Sequence, residues 1–310
     1  MIRSNIGATS GSVKLAGSLW VPTNRAPSKL LLMYPGSGPS DRDNDVFFPP
    51  IRRALIDAGV AVASFDKRGV GSSSGNWLEA GIDDQAADLC AFLQETRSLV
   101  PGIPIGLFGH SQGGWVVLEA AHSASVDFVI TSSGPAVTPR VQEEFSTRNG
   151  LVGIHTGEPP ISDLLRSYGE LLDRLSAGDS FEQVSEWMNE PMRSASFAAL
   201  KNVGAFIPDD AAVWRFAHLL INYDPTEALA ALRVPLLALL GSVDMVVPVV
   251  QSVKVLRAVV KPELLIVRVI DGGDHRMQFP ASGAFAPDYL PALVNFVAEM
   301  AVSTGQRHRE

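Results

Sequence analysis

The sequence contains a single cysteine, Cys90, among its 310 residues. One thiol cannot form an internal disulfide, so the fold must be stable without one, and this use of cysteine fits a reducing compartment. Cys90 lies on the same helical face as Ala87, Leu89 and Leu93. This apolar setting predicts a packed thiol rather than a reactive one.

The chain also lacks a long apolar run. No stretch approaches the roughly 18 apolar residues of a membrane-spanning helix. Residues 1–10 contain no apolar segment of the kind found in signal peptides. The sequence therefore predicts a soluble, cytoplasmic protein that has no membrane partner.

An excess of positive charge is absent as well. The chain has 25 Lys and Arg against 33 Asp and Glu, a formal net charge of −8, which argues against a nucleic-acid partner. It has no H-E-x-x-H or C-x-x-C spacing, no P-loop and no strand-linked G-x-G-x-x-G. We therefore expect no metal, no nucleotide and no other cofactor. A small-molecule substrate is the expected partner, and the sequence leaves a homodimer open.

What the sequence does contain is a regular alternation of strand-like and helix-like segments. Short apolar runs of the buried-strand type alternate with longer segments of helical character. Such alternation predicts an α/β fold, in which a mostly parallel sheet is flanked by helices. The predicted strands are residues 11–21, 28–34, 60–65, 103–108, 127–134, 235–240 and 263–270, and helices are predicted at 47–59 and 83–96.

Residues 109–113, Gly-His-Ser-Gln-Gly, form a G-x-S-x-G pattern. A strand-like run precedes it and a helix-like stretch follows it, which is the setting of a nucleophilic serine on a sharp strand-to-helix turn. Gly109 and Gly113 leave room around Ser111, and the helix N-terminus directs N–H groups towards a developing oxyanion. Ser111 is therefore the candidate nucleophile.

Four further motifs accompany this pattern along the chain. They are YPGSGPSDRD at 34–43, FDKRGVGSS at 65–73, GSVD at 241–244 and GDH at 273–275. With residues 109–114 they resemble α/β-hydrolases of the bacterial carboxylesterase and serine-aminopeptidase-like kind, over about residues 11–300. The resemblance implies the α/β-hydrolase fold and catalytic residues in the chain order Ser, Asp, His. It does not identify the substrate, because this fold hosts many reactions.

Of the six histidines, His275 best fits the base that activates Ser111. It lies in the loop after the last strand-like run, where α/β-hydrolases carry this residue. The other five lie within the elbow or on the helix behind it, in the middle of the chain, or in the polar C-terminal tail: His110, His122, His155, His218 and His308.

Asp244 is the candidate acid that orients His275. It follows the apolar run 235–240 and so lies at the carboxyl end of a buried strand, where open α/β sheets bind their ligands. Asp271 and Asp274 are closer to His275 in sequence, but neighbours along a loop rarely point the right way. Asp274 is explained equally well as a turn cap.

Two backbone N–H groups are candidates for the oxyanion hole. One belongs to Gln112, the residue after the nucleophile. The other belongs to Ser37, in the loop 35–39 after an early central strand, where Gly36 and Gly38 allow close approach of a ligand.

The turn at 65–73 leads to one structural hypothesis. Asp66 and Arg68 are expected to support the fold rather than the chemistry. We expect Arg68 to pair with Asp41 or Asp43 and thereby to support the loop that carries Ser37.

The alternation of strands and helices stops between residues 137 and 223. This segment has helix-like stretches at 141–147, 161–176, 181–189 and 211–220 and no convincing strand. In the resembling family a helical cap is inserted after the sixth strand, which predicts a core of residues 1–136 and 224–304, a cap of 137–223 and a disordered tail of 305–310. The large side chains of the predicted cap either line an apolar acyl or aryl pocket over Ser111 or form the core of the cap itself. These side chains are Trp187, Met188, Met192, Phe197, Phe206 and Trp214.

Together these residues predict a serine hydrolase that cleaves carboxylic esters through an acyl-enzyme. An aminopeptidase, a thioesterase or a carbon–carbon bond hydrolase would use the same three side chains. For a peptidase, Glu143, Glu144 and Glu158 are candidates for binding an amino terminus, although they are explained more simply as solvated charges. A non-catalytic receptor for a small ligand is the alternative from another class, and the intact set of nucleophile, base and acid argues against it.

Overall fold

A computed structural model of the chain describes residues 1–154 and 159–301. The predicted tail at 305–310 and three side chains considered above, His155, Glu158 and His308, lie outside these ranges. None of the helices within them is both long and apolar enough to cross a bilayer.

One eight-stranded sheet forms the centre of the molecule, with the strand order β1-β2-β4-β3-β5-β6-β7-β8. Strands β3 to β8 are parallel, whereas β1 and β2 are antiparallel to their neighbours. This is the mostly parallel sheet of an α/β-hydrolase, and the predicted fold class is confirmed. The strands are β1 (Ile2–Ser10), β2 (Val13–Val21), β3 (Lys29–Tyr34), β4 (Val60–Phe65), β5 (Ile105–His110), β6 (Phe128–Ser132), β7 (Leu236–Gly241) and β8 (Leu265–Ile270).

Helices cover both faces of the sheet, and one apolar cluster lies on each face. Because β4, β5, β6 and β7 are buried on both faces, they are continuously apolar rather than alternating. Cys90 packs partly buried against one of these clusters, and burial raises the pKa of its thiol. The helices outside the middle of the chain are α1 (Phe48–Asp57), α2 (Ile82–Leu99), α3 (Gln112–Ser123), α9 (Thr226–Ala231), α10 (Val249–Val259) and α11 (Tyr289–Glu299).

The N-terminal hairpin differs from the prediction. The sequence predicted one strand at 11–21, whereas β1 and β2 form an antiparallel pair around a turn in which Gly11 has a φ of 56°. Strand β1 lies at the edge of the sheet, and only Ile6 and Ala8 of its nine residues are buried. A strand with so little apolar periodicity is not recognised from its pattern.

In the described part of residues 137–223, which follows β6, the chain forms five helices, and we call them the inserted helices. They share an apolar cluster of their own, which is separate from the two clusters on the sheet. One of them, α7, was not predicted, because only Ser196, Phe197 and Leu200 of its twelve residues are buried. The inserted helices are α4 (Pro139–Ile154), α5 (Ile161–Ala177), α6 (Phe181–Met188), α7 (Pro191–Asn202) and α8 (Ala211–Ile221).

Candidate active site

Ser111 lies on the sharp turn between β5 and α3. Its backbone has φ 53° and ψ −126°, a conformation that costs free energy for a residue with a side chain. The turn needs glycine on both sides: a Cβ on Gly109 would lie 2.0 Å from the carbonyl oxygen of Gly113, and one on Gly113 would lie 2.5 Å from that of Pro35. The strained turn lifts the hydroxyl out of the sheet edge, where a base can reach it.

A chain of two hydrogen bonds joins Ser111, His275 and Asp244. In the tautomer that protonates Nδ1, the Oγ–H of Ser111 donates to His275 Nε2 over 2.9 Å. The Nδ1–H of His275 donates to Asp244 Oδ2, also over 2.9 Å. The Asp244 side chain is fully buried, while His275 is 22% exposed. The structure thus brings together the three side chains that the sequence predicted, although Ser111 and His275 are 164 residues apart in the chain.

Asp244 is held by the backbone of its own loop. Its Oδ1 accepts the N–H groups of Val246 and Val247 at 2.8 and 2.9 Å, which leaves Oδ2 free for His275. A Cβ on Gly241 would lie 2.2 Å from the Gly273 carbonyl oxygen. Close contact of these two loops therefore sets the distance between acid and base.

The two rival carboxylates face elsewhere. Asp274 Oδ1 accepts the N–H groups of Arg276 and Gln278 at 2.8 and 2.9 Å, so this residue caps the turn that carries His275. Asp271 lies 3.5 Å from the hydroxyl of Ser242. Neither is hydrogen-bonded to the His275 ring in residues 1–154 and 159–301, whereas Asp244 is.

The two predicted oxyanion donors lie beside the nucleophile. Ser37 and Gln112 line the same cavity as Ser111. The loop before Ser37 is close to the nucleophile, since a Cβ on Gly36 would lie 3.3 Å from Ser111 Cβ. Gln112 is the first residue of α3, where N–H groups have no acceptor within the helix. Both residues thus border the cavity into which Ser111 opens, and their role as oxyanion donors stays a prediction.

His110, directly before the nucleophile, packs against the base. Its ring centroid lies 5.1 Å from that of His275 and 4.4 Å from that of Phe47, and its Nδ1–H donates to the Ser132 carbonyl over 3.1 Å. Burial lowers the pKa of His110 well below its ordinary value. A neutral, fixed ring therefore lies beside the imidazole that takes up the proton.

A cavity of about 240 Å³ opens above Ser111. The sheet edge contributes Ser37, Gln112 and Trp115, and most of the remaining lining comes from the inserted helices and is apolar. Of the large side chains predicted in this segment, Phe206 lines the cavity; Met192 is exposed; and Trp187, Met188, Phe197 and Trp214 belong to the inserted helices' own core. A larger, open groove of about 560 Å³ around Trp214 and His218 includes none of the three hydrogen-bonded residues.

Glu143 is not a solvated charge, in contrast to the simpler interpretation of the sequence. It lines the cavity that contains Ser111 and accepts a hydrogen bond of 3.2 Å from the hydroxyl of Tyr168. Burial raises the pKa of its carboxyl, and the bond from Tyr168 offsets part of that shift. Glu144, the next residue, pairs with Arg140 on the surface and fits the solvated interpretation. Helical register decides between the two, because adjacent residues face different directions.

The hypothesis for Arg68 is wrong. Arg68 forms a two-pronged ion pair with Asp88 on α2, at 2.7 and 2.8 Å, and contacts neither Asp41 nor Asp43 within the described ranges. Arg42 instead fastens the loop after β3 to the sheet, through a two-pronged pair with Asp66 at 2.9 and 2.6 Å. The two arginines thus take different carboxylates: Arg42 pairs with Asp66 next to β4, and Arg68 pairs with Asp88 on α2.

No set of three or more His, Cys, Asp or Glu side chains in residues 1–154 and 159–301 is arranged to hold a metal ion. The groups that the site does bring together are a nucleophile, a base, an acid and candidate backbone donors. These groups suffice for acyl transfer to water.

Comparison with known proteins adds a family and several related folds. The model of the family described as serine aminopeptidase, S33, matches residues 46–279. No curated protein is similar enough in sequence to count as a match.

Similar solved structures include two esterases and a peptidase. The esterase of Pyrococcus furiosus superposes with a TM-score of 0.63 at 16% identity and covers 97% of this chain and 92% of its own. A carboxyl esterase of Bacillus coagulans has a TM-score of 0.62 at 17% identity, with 96% and 98% covered. The proline iminopeptidase of Mycobacterium smegmatis has a TM-score of 0.61 at 15% identity, with 95% and 98% covered. At these identities the likeness concerns the fold alone.

Proposed function

The chain belongs to the serine aminopeptidase S33 family of α/β-hydrolases. We propose that this member is a serine hydrolase that cleaves carboxylic esters. The observation that carries the proposal is the pair of 2.9 Å hydrogen bonds from Asp244 through His275 to Ser111. They end at a cavity with a mainly apolar lining, which suits an acyl or aryl group.

In the proposed mechanism His275 is the general base. Its Nε2 takes the proton of Ser111 as the Oγ attacks the ester carbonyl carbon, and the carbonyl π electrons move onto oxygen. The Asp244 carboxylate accepts the Nδ1–H, which fixes the productive tautomer and stabilises the imidazolium. Its own two backbone hydrogen bonds keep this carboxylate in place.

The N–H groups of Ser37 and Gln112 stabilise the negative oxygen of the tetrahedral intermediate. His275 then gives its proton to the departing alkoxide, which leaves as the alcohol. The acyl group stays on Ser111. Water deacylates the enzyme by the same route: His275 takes a proton from water as the water oxygen attacks the acyl carbon. The bond between that carbon and Ser111 Oγ then breaks, His275 returns the proton to Oγ, and the carboxylic acid leaves.

The inserted helices are proposed to act as a cap. Residues 137–223 would form this cap over a core of residues 1–136 and 224–304, because the helices have their own apolar cluster and contribute most of the cavity lining. The cytoplasmic location and the homodimer stay predictions from the sequence.

The test is hydrolysis of p-nitrophenyl esters from acetate to palmitate, with Ser111→Ala as the matched variant. We expect turnover that peaks at one acyl length and is lost in Ser111→Ala, together with fluorophosphonate labelling of Ser111 in the wild type. Labelling without turnover of any ester would contradict the ester proposal and would favour the peptidase. Absence of both would favour a receptor.

An aminopeptidase is the second candidate, and Glu143 is the observation that favours it. Its carboxylate lies in the same cavity as Ser111 and could bind the amino terminus of a peptide. Amino-acid p-nitroanilides with free and acetylated amino groups test this alternative. A peptidase would cleave only the free form and would lose that preference in Glu143→Gln but not in the control Glu144→Gln; equal cleavage of both forms would contradict it.

A further inference from the structure

Lys67 is a buried lysine that the mechanism above does not use. It follows β4 in the turn at 65–73, and only 4% of its surface is exposed. Its Nζ donates to the carbonyl oxygens of Gly36 and Gly38, the second over 3.3 Å, and lies 5.4 Å from the centre of the Tyr34 ring. The amine is thus placed directly beneath the loop that carries Ser37.

No carboxylate forms an ion pair with Lys67 in the described part of the chain. The two nearest candidates along its own turn and on α2 are occupied: Asp66 pairs with Arg42, and Asp88 pairs with Arg68. Burial lowers the pKa of Lys67 to about 7. An apolar side chain of similar length would fill this space without the cost of desolvating an amine. Packing alone therefore does not explain why a lysine lies here.

The geometry of the peptide group explains it. The carbonyl of Gly36 and the N–H of Ser37 belong to one planar trans peptide, in which the two bonds point in opposite directions. When Lys67 holds the Gly36 carbonyl on its own side, the Ser37 N–H must point away from Lys67. The second hydrogen bond holds the carbonyl of Gly38. The two bonds together fix the loop on both sides of Ser37.

The direction away from Lys67 is that of the nucleophile. Gly36 lies against Ser111, and Ser37, Gly38 and Ser111 line one cavity. In residues 1–154 and 159–301 the Ser37 N–H donates to no protein acceptor, so it is free to bind an oxyanion.

We infer that Lys67 is a positioning residue: by binding the carbonyls of Gly36 and Gly38 it turns the Ser37 N–H towards the oxyanion that forms on the substrate. The inference rests on the proposed function, because it needs an oxyanion at Ser111. Both the ammonium and the neutral amine have at least two N–H groups, so either form makes both bonds.

Lys67→Met tests the inference, because Met retains the length of the side chain and removes the donors. Loss of one oxyanion donor lowers kcat by about 10²–10³-fold. A donor that points in the wrong direction should lower kcat by less than this. We expect kcat for the best p-nitrophenyl ester to fall about 10- to 100-fold, with little change in KM. The Kd of an alkyl boronic acid, whose tetrahedral adduct places an oxygen in the same site, should rise by a similar factor.

A stability measurement separates positioning from a structural role. Removal of a buried amine that has no carboxylate partner should leave the urea midpoint of Lys67→Met equal to or above that of the wild type. Lys67→Gln, which keeps an N–H donor group on a shorter side chain, should have an intermediate kcat. If kcat stays within about twofold of the wild type, or if it falls only together with the urea midpoint while the boronate Kd is unchanged, the inference is wrong.

Arg68→Met is the matched control from the same turn. It breaks the buried pair with Asp88 and should lower the urea midpoint, while kcat and the boronate Kd stay unchanged, since Arg68 makes no hydrogen bond to the loop 35–39 in the described ranges. A loss of kcat in this variant would mean that any disturbance of the turn slows the enzyme.

The rate of Ser111 phosphonylation keeps this test apart from that of the ester proposal. Fluorophosphonate attack builds negative charge on oxygen at the same donors and needs no ester turnover. A wild type that is labelled but hydrolyses no ester contradicts the proposed substrate, and a slower labelling of Lys67→Met still supports the inference. Equal labelling rates for the two proteins contradict it.

Discussion

The loops at the carboxyl edge of the sheet and the inserted helices build the two halves of one cavity in different ways. At the sheet edge, a Cβ on Gly109 or Gly113 would collide with backbone at 2.0 and 2.5 Å. In the inserted helices, Gly153 and Gly169 have nothing within 4 Å of that position, although a Cβ on Gly150 would lie 2.8 Å from the Val203 carbonyl oxygen. Closely packed backbone thus surrounds the proposed chemistry, while mainly apolar side chains line the space for the proposed substrate.

This contrast has a physical cause. Strand ends are fixed by ladders of hydrogen bonds across the sheet, so a side chain just beyond a strand has a nearly determined position. The inserted helices are held by an apolar cluster of their own, and such clusters tolerate changes of shape better than backbone contacts do. We therefore expect substitutions to be costly at the sheet edge and mild in the helices.

The largest effect should come from the acid at the sheet edge. In Asp244→Asn the amide still accepts N–H groups through Oδ1, but an NH₂ group replaces the oxygen that accepts from His275. The imidazole then carries its proton on Nε2 instead of Nδ1, so Nε2 cannot take the proton of Ser111. We expect kcat to fall about 10⁴-fold, with the thermal midpoint little changed.

Asp271→Asn is the control for this experiment. Asp271 lies in the same loop region but faces Ser242, so its replacement should leave ester turnover unchanged. Similar losses in both variants would mean that the charge of the loop matters rather than one hydrogen bond.

The second effect concerns stability at the same edge. Gly109→Ala places a Cβ against the backbone of Gly113, and neither strand β5 nor helix α3 can move without disturbing the sheet. We expect the free energy of unfolding to fall by about 3 kcal/mol, measured by urea denaturation. A loss below about 1 kcal/mol would show that the turn yields more easily than its contacts indicate.

A smaller effect is expected at the cavity side of the inserted helices. Phe206 lines the cavity and is 40% exposed. Phe206→Ala should change kcat/KM by about tenfold for the acyl length that reaches this ring, and much less for acetate. Met192→Ala, at a side chain that is 83% exposed and outside the cavity lining, is the control and should change neither. Equal effects on all acyl lengths would contradict a role of Phe206 in substrate selection.

The smallest effect should have the opposite sign to that at Gly109. Gly169 lies inside α5, with nothing within 4 Å of a new Cβ. Ala has a better helix propensity than Gly, so Gly169→Ala should raise the free energy of unfolding by about 0.5–1 kcal/mol. Urea denaturation of both Gly→Ala variants under one condition tests the contrast directly. If Gly169→Ala destabilises the protein, the inserted helices are packed as tightly as the sheet edge.

The sequence predicted most of the sheet and failed where pattern carries little information. Strands β3 to β7 are marked by mainly apolar runs, because both of their faces are covered. The edge strand β1 and helix α7 bury too few residues to produce a periodic signal. Helices α9, α10 and α11 were not predicted either, although α11 buries Tyr289, Leu293, Phe296 and Val297 in an apolar cluster on the sheet.

Pairings between side chains were predicted least well. Two arginines and several aspartates occur within the motifs at 34–43 and 65–73, and the sequence does not say which pairs form. Arg68 pairs with Asp88, which lies outside both motifs on α2. The position of Glu143 at the cavity was likewise not predicted, because its difference from Glu144 is one of helical register.

The sequence by itself determined the α/β alternation, the strained serine turn and the chain order of the candidate catalytic residues, Ser111, Asp244 and His275. These features are local: each depends on residue types within a few positions, such as the glycines around Ser111. Only the tertiary structure decided that Lys67 lies under the Ser37 loop, that Glu143 faces the cavity and that Arg42 rather than Arg68 anchors that loop. These contacts join residues far apart in sequence, and packing of whole elements selects them from several pairings of similar chemistry.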